Sequence, residues 1–493
     1  MRRLLLCGSA PLVLTWATIA TERSWPSLLP LHLALFVTAG VAWCVALGLI
    51  ARAPRGDSRG EKALIVLVAI ALRVPAWWSA PAHSDDVYRY AWDGRVTRAG
   101  INPYLYAPAD AALSSLRGGV FSQMVKYERT SARPTVDDGT LFARVNNADL
   151  PTIYPPLAQA VFFACAWLPL APVTSLKIVF ALCDLGTLLL LMRLLARRGD
   201  DPRFAIAWGW SPLVVIEVAG NAHVDALAIV LLVAALDAWQ ARRAWWAGVL
   251  LGAATAAKLV TAPLAVALRS GRTWLAMSLT IVALALPFVG AGARMAGSTG
   301  ELARRWRAND GAYALVQAMS DKIVCAALHA PDVPREGSGP RCTAPLDIWP
   351  HRTLARLVTG RDYRDSIYPD ELSSFLARAF CGLALAGVAL WVLLRRKEAL
   401  DGVEWTLGAL LLFTPALHPW YALWLLPIVA LRRRLAWAAL AALVPLGYVP
   451  LAAWLAGGPW RDPVWTRVIE HGVCWSLLVI AWRRKRRSLR QPV

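Results

Sequence analysis

Apolar runs of near bilayer-spanning length recur from one end of this chain to the other, and nothing else constrains its fold as much. Hydrocarbon offers no water to backbone amides, so each run must satisfy its own hydrogen bonds as a helix. Residues 4–20, 28–50, 63–80, 175–195 and 274–290 are such runs. With 57% hydrophobic and 17% charged residues, an ordinary soluble domain is excluded. The net charge of +20 does not point to nucleic acid. Its lysines and arginines sit in short loops between runs, as in Arg52, Arg55, Arg59 and Lys62 or Arg197, Arg198 and Arg203, where membrane topology accounts for them. The 25 tryptophans gather at run ends, for example Trp77–Trp78, Trp245–Trp246 and Trp420, as interfacial indoles do.

Basic flanks orient the runs. The first, read as a signal anchor, leaves Met1–Arg3 inside, and residues 63–80 deliver an acidic stretch to the outer face. Counting 156–170 as a full span would put Arg197 and Arg198 outside, so it reads as a half-inserted or surface helix. Residues 246–258 and 259–268 read as a short hairpin whose tip, near Lys258, points outward. The expectation is an all-α polytopic bundle of roughly 12–14 transmembrane helices, with short interfacial helices in its outer loops and both termini cytoplasmic. Along the chain this gives N-terminal helices (1–80), a first outer loop (81–173), a transmembrane core (174–290), a second outer loop (291–374) and C-terminal helices (375–493). Six of the eight cysteines, Cys7, Cys44, Cys165, Cys183, Cys381 and Cys474, fall in spans and read as small apolar groups. Cys325 and Cys342 share the second outer loop, where export would favour a disulfide.

The stretch His83–Tyr106, HSDDVYRYAWDGRVTRAGINPYLY, opens the first outer loop. Tyr88, Ala91, Trp92, Val96 and Ala99 share one helical face, with Arg89, Asp93 and Arg98 off it. Ser84 can cap the helix, acids in its first turn suit the dipole, and Gly100 and Pro103 stop it. Taken alone it reads equally as a charged amphipathic helix at the interface. The topology adds weight, because Asp85, Asp86, Tyr154, Glu217, Asn221, His223, Asp225, Lys258, His418 and Tyr421 all fall at outer run ends. Ionisable groups at membrane depth are costly unless they pair or work, so their convergence suggests one site. Lys258, in GAATAAKLVTAP, calls for a phosphate or carboxylate, the alternative being snorkelling of its stem. Asn221 reads as a helix cap for His223 and Asp225, or as part of the site with them. Glu217 reads as paired with a lysine or arginine, or as a site residue.

The order SDDVYRYAWDG–GINPY, YPPL, GNAHVDAL, AAKLVTAPL and HPWYALWLLP resembles the GT-C superfamily of integral-membrane glycosyltransferases. It is most similar to bacterial polyprenol-phosphate-mannose-dependent mannosyltransferases and family 87, and the resemblance leaves the arginine-rich loop 291–374 unmatched. It implies a multi-pass protein of the bacterial inner membrane that moves a sugar, mannose by the same likeness, from a polyprenyl-phosphate donor to a lipid or glycan acceptor on the extracytoplasmic side, with inversion. Asp85 or Asp86 would be the base, and Arg89 and Lys258 would meet the departing phosphate. Tyr88, Trp92, Asn102, Tyr104, Tyr154, Asn221, His223, Asp225, His418, Trp420 and Tyr421 would line the substrate. Asp85 and Asp86 are also the residues that would hold a divalent cation if one is used. The competing readings are a transporter or flippase of lipid-linked sugars, which needs phosphate-binding groups but no base, and a non-catalytic assembly subunit.

Overall fold

The computed structural model describes residues 2–22, 27–117, 141–327, 332–335, 338–342, 369–395 and 398–488. In chain order the main elements are α1 (Arg2–Thr21), α2 (Leu29–Arg52), α3 (Arg59–Trp78), α4 (Asp86–Arg98), α5 (Pro156–Cys165) and α6 (Pro172–Arg197). After them come α7 (Asp225–Gln240), α8 (Ala244–Ala257), α9 (Gly271–Ala285), α10 (Ala312–Ala327), β1 (Asp332–Arg335) and β2 (Ser338–Cys342). The chain continues through α11 (Pro369–Leu394), α12 (Ala399–Phe413), α13 (Leu426–Arg432), α14 (Leu435–Leu443) and α15 (Val464–Ser488). They form two compact units, one of Met1–Gly297 with Pro419–Val493 and one of Ser298–His418.

The class is the all-α polytopic one. Among the described residues, seven helical stretches are long and apolar enough to cross a membrane. Of the other expected crossings, 63–80 lies in the unbroken but more charged α3, and the remainder are broken or short, with causes in the sequence. Residues 204–218, read above as one span, are a 3-10 turn (Pro202–Ala205), two short helices (Ile206–Gly209 and Pro212–Val214) and a π-helix (Val215–Gly220). Pro202 and Pro212 each start a new piece because they cannot donate to the preceding turn. Every residue from 201 to 226 is buried, so this irregular backbone is shielded from lipid by protein. Segment 156–170 behaves as expected: α5 stops after ten residues, too short to span.

Specific residues hold the first unit together. Ser58 and Glu61 form a reciprocal capping box that starts α3. Gly248 and Gly252 let α8 lie against α9, since a methyl at either would collide with the carbonyls of Thr273 and Met277. Inside the bundle, Arg73 meets Asp184 through two nitrogens, at 2.5 and 2.8 Å, and both side chains are fully buried. Arg73 also donates to the Ala69 and Gly209 carbonyls, and Trp208 donates to Asp184. Lys177 closes the C-terminal end of α3 by donating to the carbonyls of Ala76 and Ser79.

In the second unit, α10 and α11 pack around Tyr313, Ala377 and Cys381, while Gln317, Asp321 and Ser373 form a hydrogen-bonded set beside them. Strands β1 and β2 pair antiparallel. Cys325 is disulfide-bonded, and the six cysteines read as apolar fillers are free thiols. Residues 343–368 of the expected second outer loop lie outside the described residues.

Candidate active site

Helix α4 carries Asp86, with Asp85 at its N-cap, and it is a core element, not a surface one. Val87 through Gly94 are all buried, which overturns the reading of an amphipathic helix lying on the interface. Arg89 and Asp93 are off the apolar face, as expected, but face protein. Arg89 donates from Nε to Asp93 at 3.0 Å, and its other two nitrogens reach the Asn147 and Leu150 carbonyls. The second Asp93 oxygen accepts from Thr152 and Gln159 at 2.6 and 2.9 Å. This clamp ties α4 to the far end of its loop and to α5. Gly94 makes the approach feasible, because a methyl there would run into the Phe162 carbonyl. Ser84 does serve the helix start, accepting from the Asp86 amide at 3.2 Å.

From this fixed helix Asp86 reaches a cluster drawn from distant parts of the first unit. One oxygen accepts from Asn146 at 2.7 Å, and the other lies 4.0 Å from His223 Nδ1. The opposite ring nitrogen of His223 stands 3.3 Å from Glu217, and the ring stacks on Trp420 with centroids 4.2 Å apart. Glu217, fully buried, accepts from Tyr448 at 2.8 Å. The pairing of Glu217 with a lysine or arginine is therefore corrected: its contacts are a phenol, an imidazole and the Asn221 amide. The π-helix widens the turn on which Glu217 sits and ends at Asn221.

Asn221 does not cap α7, whose start has no side-chain cap. Its carbonyl oxygen instead accepts from the amides of Ala82 and His83, at 2.9 and 3.1 Å, which pins the segment leading into α4. His83 continues inward to His32, 2.9 Å away ring to ring, and His32 to the Thr21 hydroxyl. Beside this chain, Asp225 is fully buried, accepting from Lys258 at 2.5 Å and from Trp424 at 2.7 Å. Lys258 keeps 23% of its side chain exposed, so it reaches open space from a buried partner. Its ammonium also lies 5.2 Å from the Tyr421 ring. Burial, followed by the Asp86 carboxylate, pushes the Tyr154 phenol well above its usual range. Asp86 is thus near enough to act on Tyr154 electrostatically.

Of the residues singled out from sequence, Asp86, Tyr154, His223, Asp225, Lys258, Trp420 and Tyr421 come together here. Asp85 precedes the first turn of α4, and Tyr88 accepts from Arg144 at 2.8 Å. Others belong to the frame. All three Arg89 nitrogens are engaged, and Trp92 packs with Val96, Leu113 and Val145. Asn102 donates to the Phe288 carbonyl and Tyr104 to that of Tyr154. His418 lies in the second unit, its ring edge-on to Trp306. Sequence reasoning missed Tyr448, Asn146, Trp424 and the His32–His83 pair. Tyr448 and His32 each stand as a lone polar group in an apolar run, and that was the available signal. Among the described residues no three histidine, cysteine or acidic side chains converge as metal ligands, so these residues do not fit a cation chelated by protein side chains alone.

The assembled site can be compared with known families. The family model for glycosyltransferase family 87 matches residues 152–328. The N-terminal domain model of alpha-(1->6)-mannopyranosyltransferases matches 4–128, and the MptB C-terminal domain model matches 372–453. No curated protein and no solved structure matches. The three stretches do not overlap, and each supplies part of the cluster: Asp86 from the first, Glu217, His223, Asp225 and Lys258 from the second, Trp420 and Tyr448 from the third. The chain is a membrane glycosyltransferase, similar over these stretches to glycosyltransferase family 87 and to the MptA/MptB alpha-(1->6)-mannosyltransferases.

Proposed function

We propose that this mannosyltransferase takes its sugar from a polyprenyl-phosphate donor and inverts the anomeric centre, with Asp86 as base, on the extracytoplasmic side of a bacterial inner membrane. The observation that carries the reading is one partly exposed carboxylate, Asp86, held by Asn146 beside the buried His223, in the same cluster as one partly exposed ammonium, Lys258, anchored to the fully buried Asp225. Asp86 takes the proton of the acceptor hydroxyl as the new bond to the anomeric carbon forms. On the other face of the sugar the bond to phosphate oxygen breaks, its electron pair leaves with the lipid phosphate, and Lys258 meets that charge. Asp225 and Trp424 hold Lys258 in place, while Asn146 and the His223–Glu217–Tyr448 series hold Asp86. Arg89, read at first as a phosphate ligand, becomes a positioning residue through its clamp on Asp93. The half-buried Tyr421 ring suits a sugar ring, whose C–H face stacks on aromatics, while Trp420 is buried against His223.

Asp86 is favoured over Asp85 because its carboxylate accepts from Asn146 and lies 4.0 Å from His223. A flippase would need the anion site and no base. Purified protein supplied with polyprenyl-phosphate mannose and a membrane extract tests the reading: sugar should leave the donor, and Asp86→Asn should stop it. Movement of intact donor between leaflets, with no sugar released, would establish the flippase instead.

A further inference from the structure

Helix α10 of the second unit is amphipathic in the opposite sense to a helix in water. Its inward face is polar. Tyr313 donates to Gln317 at 2.8 Å, Gln317 donates to Asp321 and to Ser373 of α11 at 2.8 and 3.1 Å, and Ser373 donates to Asp321. Tyr313 and Gln317 are buried. The outward face is apolar: Leu315, Met319 and Ile323 stand at i, i+4 and i+8 and are 58%, 64% and 62% exposed. Lys322, also exposed, lies beside the C-terminal end of this stripe. A helix in water hides its apolar stripe and shows its polar groups. A helix in hydrocarbon turns polar groups onto a neighbouring helix, where they hydrogen-bond, and leaves apolar ones outside.

The neighbour sets the depth. Helix α11 is long and apolar enough to span from Glu371 to Leu394, and it shows Leu376, Phe380 and Leu383 on its own surface. The two helices run antiparallel, since Asp321, late in α10, meets Ser373, early in α11, while Tyr313 packs with Ala377 and Cys381. Ala377 and Cys381 lie about 9–15 Å along the span from Glu371, up to half the hydrocarbon thickness. The 16 residues of α10 rise about 24 Å, too little to cross. Before α10, residues 306–311 are not helical; Ala308 through Gly311 are buried, and Ala308 exchanges backbone hydrogen bonds with Pro415 and Leu417. Irregular backbone is tolerated at such depth where protein covers it. We infer that α10 is half-inserted, with Leu315, Met319 and Ile323 against the acyl chains of the bilayer and its C-terminal end at the headgroups, where Lys322 reaches outward. This stretch of the expected aqueous loop 291–374 then continues the lipid-facing surface of α11.

The test is photo-crosslinking of the full chain in vesicles of phosphatidylethanolamine and phosphatidylglycerol, independent of sugar transfer. p-Benzoylphenylalanine is placed singly at position 315, 319 or 323 and, as the reference for a lipid-facing position, at 380 in α11. Mass spectrometry should find acyl-chain adducts at all four. Adducts at 380 with none at the three α10 positions would overturn the proposal, as would attachment of those three to another stretch of this chain or to a second copy. A charge supplies a second readout. Met319→Glu should lower the midpoint of thermal unfolding in the vesicles, whereas Met319→Leu should leave it where it is. An unchanged midpoint for Met319→Glu would mean that the stripe faces water, and would overturn the proposal too.

Discussion

At the basic end of the first unit, Asp57, Glu61, Asp200, Asp201 and Asp237 each meet a lysine or arginine, whereas at the acidic end Asp86 and Glu217 flank a single histidine. The basic end also ties loops to one another: Arg203 bridges Asp201 to Glu61 and the Pro54 carbonyl, Arg55 reaches Gly199, and Arg433 approaches Asp200. Each of these acids has a cationic partner, and such pairs fasten structure. The acidic end concentrates carboxylates around one buried histidine and one partly exposed lysine. An arrangement that leaves charge incompletely matched is costly in a bundle, and the natural reading is that a substrate completes it.

The comparison breaks if substitutions at the two ends have the same consequence. The largest effect is expected at Asp86. Asp86→Asn should lower turnover by about 10²–10⁴-fold without changing the melting temperature appreciably, as removal of a general base does. Lys258→Gln should follow, with a loss of about 10²–10³-fold in kcat. Because it strands the buried Asp225, it should also cost about 3–5 kcal/mol of stability, and Lys258→Arg should recover both in part. Tyr448→Phe and Glu217→Gln loosen the support behind His223, and misplacement of this kind should cost about 10-fold in kcat with little change in KM.

At the other end the sign of the contrast reverses. Arg203→Gln removes the partner of Asp201 and Glu61 and should cost about 1–3 kcal/mol in thermal unfolding while kcat stays at the wild-type value. The smallest effect belongs to Asp57→Asn. The hydrogen bond from Lys62 lowers the Asp57 carboxyl below its usual range, so its contribution to stability is present at neutral pH and fades as pH falls through that lowered value. Both partners are well exposed, so the melting temperature of the variant should fall only slightly below wild type at neutral pH, and the gap should close as pH falls.

The class of fold was legible because burial in hydrocarbon leaves long apolar runs and basic loops in the sequence. The convergence of Asp86, His223, Asp225 and Lys258 was legible for the same reason: polar groups at run ends stand out against an apolar background. What was not legible is how each polar group is shared. Arg89 looked like an anion ligand until Asn147, Leu150 and Asp93, up to 61 positions away in sequence, proved to occupy it. Asn221 has the look of a helix cap locally, yet its oxygen serves a segment 138 and 139 positions earlier. Residues 204–218 have the composition of a span, and only the packing around them shows that they form a buried irregular path. Periodicity reports which face is apolar and does not say which distant carbonyl a guanidinium will find.

The most direct test of the account is a single-turnover comparison of Asp85→Asn and Asp86→Asn, each saturated beforehand with polyprenyl-phosphate mannose and then mixed with acceptor. The account predicts that both variants hold donor as wild type does, that Asp85→Asn transfers its sugar, and that Asp86→Asn does not. Transfer at the wild-type rate by Asp86→Asn, or its loss in Asp85→Asn alone, would contradict it.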